Sequence, residues 1–155
     1  MKTLSFINSK LFLLIAVSIS LSSLLVNAQD NKVKQKLIKI DQIEEDEYIK
    51  GKVTNIDNPE KYKVLVYVHT DKWYIHPYAG QDEGSSWAGI KKDGSWSLST
   101  VKREAKANKI AALIVNVSVA EDAPSSVENI EKIKNNAIVI YTREDMRNKG
   151  WYGKI

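Results

Sequence analysis

The chain has 155 residues, 23 Lys and Arg against 19 Asp and Glu, and no cysteine. This length suits one small domain, and the lack of cysteine excludes both a disulfide framework and a lipid-modified cysteine, so stability must come from a packed core. The formal charge of +4 includes Lys2 and Lys10; without them 21 basic residues face 19 acidic ones, a net +2 that gives no basis for a nucleic-acid partner.

Residues 1–28 have the three parts of a secretory signal. Lys2 and Lys10 supply the positive region, Leu11 to Leu25 the apolar run, and Val26-Asn27-Ala28 a small-residue cleavage pattern. The run is short for a bilayer span, so a cleaved signal is expected, with no membrane anchor afterwards and a secreted or periplasmic destination. Both phenylalanines, Phe6 and Phe12, lie in this segment, so every later aromatic is Tyr or Trp, each with a polar handle.

Residues 29–47 are densely charged and read as an arm or linker. The folded domain is expected over 48–142. Tyr48 to Ile56 alternates as a half-buried strand, with Gly51 marking a bulge or close approach. Tyr62 to His69 and Ile110 to Val117 are apolar on both faces, which requires cover on both sides. Between them lie a short extended piece around Trp73 to Ile75, an aromatic loop, and Asp93-Gly94, a hairpin signal between Ser85–Ile90 and Ser95–Thr100. Trp96 alternates with Leu98 and belongs to the core. Ser125 and Glu128 have capping-box spacing ahead of Val127, Ile130 and Ile133, so a short helix is predicted near 126–134. Ala137 to Thr142 is a last strand, and 143–155 reads as a polar tail. The predicted fold is mainly β, an antiparallel immunoglobulin-like β-sandwich with one short helix; α+β is the alternative.

One set of residues is a candidate binding edge: Trp73, Tyr78 and Trp87, with Asp71, Asp82 and Glu83 beside them. Flat aromatic faces suit the C–H faces of pyranose rings, and carboxylates accept hydrogen bonds from sugar hydroxyls. His69 and His76 could join Asp71, Asp82 and Glu83 around a metal, but no established ligand spacing is present and no metal or other cofactor is expected. No serine lies in G-x-S-x-G, and the carboxylates of Glu44 to Glu47 sit in an unanchored acidic run, so no catalytic residue is assigned.

Ile49, Gly51 and Val53; Asn58 to Thr70 (N-P-x-x-Y-x-V-x-V-Y-V-x-T); Asp71 to Pro77 (D-x-W-Y-x-x-P); Asp93 to Trp96 (D-G-S-W); and Ile110 to Val115 (I-A-A-L-I-V) form an ordered series. In this order the chain resembles a β-sandwich accessory module of secreted bacterial proteins, often found beside carbohydrate-active domains. The resemblance implies the fold more than the ligand and carries no assigned binding residues. The expectation is an exported, non-enzymatic binding module for a carbohydrate or cell-surface polymer. The alternative is a protein-interaction or structural module of the cell envelope, whose partner covers the second apolar face of Tyr62–His69 and Ile110–Val117.

Overall fold

The computed structural model describes residues 34–44, 47–78, 82–101 and 106–150. The expected signal segment, residues 29–33 and 45–46 of the expected linker and residues 151–155 of the expected tail therefore lie outside the described residues. Among the described residues no helix is long and apolar enough to cross a membrane.

Two antiparallel sheets form the sandwich. The first has the order β1-β2-β6, built from β1 (Leu37–Glu44), β2 (Tyr48–Thr54) and β6 (Ser95–Ser99). The second has the order β8-β4-β3-β7-β9, with β3 (Tyr62–His69), β4 (Trp73–Ile75), β7 (Lys109–Asn116), β8 (Ser126–Val127) and β9 (Ala137–Thr142); β5 (Ala88–Gly89) also pairs with β3. Period-two geometry assigns the apolar residues of β3 and β7 to opposite faces. Val64, Val66, Ile110, Ala112 and Ile114 face the first sheet and meet Ile40, Ile49, Val53, Trp96 and Leu98. Leu65, Tyr67, Ala111, Leu113 and Val115 face the other way.

The chain covers that second face itself. After β7 it forms α1 (Val117–Glu121), then β8, then a 3-10 turn at Ile130–Lys132. Ala120, Ile130 and Ile133 from this connection complete the outer core with Trp73 and Ile75. The Tyr67 hydroxyl donates to the Pro124 carbonyl at 2.7 Å and pins the cover to the sheet. A partner protein is therefore not needed over Tyr62–His69 and Ile110–Val117, and the alternative reading loses that surface.

Several elements differ from the sequence expectation. The segment read as a linker contains β1, whose Ile38, Ile40 and Ile43 are all buried. A bulge between Ile40 and Gln42 shifts the register, so Ile43 points inward despite its odd spacing. No α-helix forms over 126–134, only the 3-10 turn at Ile130–Lys132. Val127 pairs with Trp73, Ser126 with Tyr74, and Ile75 N–H donates to the Ser125 carbonyl, so strand pairing consumes the proposed cap. Asn129 caps the 3-10 turn instead, accepting from Glu131 N–H. The Asp-Gly turn closes as expected, yet its arms join different sheets: Ala88 pairs with Val64 and Trp96 with Gly51.

The segment read as tail begins with α2 (Arg143–Asn148), which anchors Met146 in the inner core. Thr142 and Asp145 form a reciprocal capping box. The Thr142 hydroxyl, and then its backbone N–H, hold the Asp145 carboxyl below its ordinary value. A depressed folded-state value contributes stability above the unfolded value near 4, and that contribution fades as pH falls through the folded value. Thr142→Ala is expected to cost about 1 kcal/mol at neutral pH. Denaturant titrations at neutral and acidic pH check it: the gap between variant and parent should narrow on acidification.

Candidate functional site

Strand β3 organises the loop that carries the candidate residues. One of its edges pairs with β7 along its whole length. The other edge is divided: β4 takes Tyr67 to His69, and β5 takes Lys63 and Val64. The loop between β4 and β5 thus leaves β3 beside Val66, whose carbonyl accepts from His76 N–H, and returns beside Val64. At about 3.4 Å per residue, Lys63 and His69 lie about 20 Å apart.

This divides the six predicted residues. Asp71 belongs to the His69 end, and Glu83 and Trp87 to the Lys63 end. They do not form one constellation. Trp73 pairs with His69, shares its face of the sheet and is only 6% exposed. Its ring meets the His69 imidazole edge-on at a centroid distance of 5.0 Å. Trp73 and Ile75 alternate inward along β4, so the indole expected at the rim is core, and the outward residue is Tyr74. Tyr78 is 40% exposed, as expected of a rim residue. Asp82 is exposed; its backbone carbonyl accepts from Ser85 and Ser86 N–H and turns the chain toward Trp87.

At the His69 end, Asp71 accepts from the Thr70 hydroxyl at 2.8 Å and from the Tyr74 hydroxyl at 3.3 Å. The Thr70 hydroxyl, followed by backbone N–H groups, holds the Asp71 carboxyl below its usual range. Partial desolvation, then the Asp71 carboxylate, pushes the Tyr74 phenol up. His69 and His76 do not converge. His76 N–H bonds to the Val66 carbonyl, which puts His76 on the opposite face of the sheet from His69. The His76 ring is buried against the Thr100 hydroxyl, while His69 Nδ1 meets Asn108 Oδ1 at 2.8 Å.

The Lys63 end is more fully built. Glu83 and Trp87 bridge in parallel, and Gly84 N–H donates to the Trp87 carbonyl at 2.7 Å. The Trp87 indole is half-buried, with its inner part against the outer core. Glu83 and Lys63 form an ion pair, with the Lys63 side chain largely buried and the Glu83 carboxylate mostly exposed. The carboxylate lies directly over Gly89, where any Cβ would strike it. An indole face, a fixed carboxylate and an ammonium thus lie within one short stretch of surface. Lys63 was absent from the sequence-derived set. Its signal was its position as a lone charge opening an otherwise apolar strand.

A cavity of about 300 Å³ lies elsewhere, in the cover, with Ser118, Val119, Pro124, Val127, Ile133 and Lys134 among its walls. No protein-family model, no curated protein and no solved structure matches this chain.

Proposed function

We propose that the protein is an exported, non-enzymatic binding module for a carbohydrate or other extracellular polymer, with its contact centred on Trp87. The observation that carries this reading is the partly exposed Trp87, bridged through its backbone to Glu83, whose carboxylate Lys63 holds over Gly89. A half-buried ring is rigid and needs little ordering, and its exposed face suits the C–H face of a sugar. Glu83 has oxygens left to accept hydroxyl protons, and Lys63 limits its movement. Tyr78, 40% exposed, is a further aromatic on the loop between β4 and β5. The likeness of Ile49 to Val115 to accessory modules of secreted proteins supports the same reading, as does the signal-like segment at 1–28. Trp73 is not part of this contact.

One stacking ring contributes about 0.5–1.5 kcal/mol beyond area burial, so affinity is expected in the micromolar range or weaker. Calorimetry against a panel of soluble polysaccharides tests the proposal. Trp87→Ala is expected to weaken the best binder about tenfold, which corresponds to about 1.4 kcal/mol. Gly89→Ala should also weaken it with the fold intact, because the added methyl displaces only the end of the Glu83 side chain. Trp73→Phe should lower stability and leave affinity unchanged. Loss of binding with Trp73→Phe but not with Trp87→Ala would reverse the assignment.

A further inference from the structure

We infer that β9 is a pairing edge for a second copy of this chain, joining two sandwiches into a symmetric dimer with one continuous sheet. Unpaired strand edges invite pairing unless charge, proline, a bulge or brevity blocks it. The described edges differ in this respect. Strand β1 carries Lys39, Asp41 and Glu44 and has the Ile40/Gln42 bulge. Strand β8 has two residues. Strand β6 is flanked by backbone bonds from Ser99 N–H to Gly84 and from Lys91 N–H to Ser95. Strand β9 has six residues, Ala-Ile-Val-Ile-Tyr-Thr, with no charge, proline, glycine or bulge. It ends its sheet, and no described strand pairs with its outer edge.

The side chains point the same way. Ile138 pairs with Leu113 and Ile140 with Ala111, so both lie on the face of the outer core. The cover does not reach them, and they are 36% and 41% exposed. A second copy running antiparallel, with Val139 on the two-fold axis, sets Ile138 against the partner's Ile140 and Ala137 against the partner's Tyr141. The four isoleucines then cover one another, and no charged residues face each other along the strand. The same direction brings exposed Lys134, just before β9, toward exposed Glu144 in the first turn after it; the Arg143 guanidinium is turned back onto the Ala107 carbonyl of its own chain. A second copy presents the same residues across the two-fold axis, so the isoleucine match and the Lys134–Glu144 charge match each occur twice. The edge is short, so the dimer forms in the micromolar range and presents two Trp87 surfaces.

Sedimentation velocity of the full chain from about 1 µM to about 300 µM tests this, a range that brackets micromolar affinity. A monomer–dimer equilibrium is expected. Ile138→Lys/Ile140→Lys should weaken it at least tenfold while the circular dichroism spectrum is retained, since both side chains are exposed. A monomer throughout the range overturns the inference, as does a dimer indifferent to the two lysines. A chain that dimerises only after residues 151–155 are removed also overturns it, because its own end then occupies the edge.

Discussion

Trp96→Ala is expected to cost about 3–5 kcal/mol, the largest loss of any substitution considered. Trp96 is 2% exposed and packs between the two sheets with Ile49, Val53 and Leu98. The inner core is supplied by short strands and, among the described residues, holds no second tryptophan or phenylalanine to close around a void. A total stability of about 5–15 kcal/mol is typical of such domains, so the variant would keep only part of it. Denaturant midpoints at unchanged slope measure the loss. Trp96→Phe is expected to cost well under half as much. It keeps most of the ring and deletes a buried indole N–H that has no hydrogen-bond partner among the described residues.

Gly51→Ala comes second, at about 2–3 kcal/mol. Gly51 lies on β2 opposite Trp96, and a Cβ there would collide with the Lys39 carbonyl of β1 and the Trp96 ring. The carbonyl is fixed backbone, so the strain must move either β1 or the indole. The two sites are coupled through one contact. Gly51→Ala on the Trp96→Ala background should therefore cost less than on the parent, a non-additivity that a double-mutant cycle reads directly. Equal costs on both backgrounds would mean that the ring does not rest on Gly51.

These two sites also show what was legible in the sequence. The alternation of Tyr48 to Ile56 and the pairing of Trp96 with Leu98 identify inward faces, and Gly51 stands out as a close approach. The two doubly apolar strands announce a covered central pair. The mainly β antiparallel sandwich follows from these features. The cover itself was misplaced. The five residues of α1 include two β-branched valines and give no helical pattern, and the capping spacing at Ser125 was overruled by pairing with β4. Strand β1 was hidden by its bulge, which breaks the alternation that would have marked it. The capping box of α2 was present as Thr142 and Asp145 but lies in a segment whose polarity suggests a tail.

The candidate site was legible by residue type and not by position. Trp73, Tyr74 and Ile75 admit two alternations, and Ile75 is the residue that decides for an inward Trp73. The separation of Asp71 from Glu83 depends on β4 and β5 sharing one edge of β3, a long-range arrangement with no local signal. Lys63 joins the site only because the loop returns beside it.

Heteronuclear NMR of the 15N-labelled indoles tests the central claim most directly, because each tryptophan gives one N–H resonance and Trp87→Phe identifies its own. During titration with the best polysaccharide of the panel, the Trp87 resonance should shift progressively to saturation while those of Trp73 and Trp96 stay in place. Movement of the Trp73 or Trp96 signal with a stationary Trp87 signal would contradict the account.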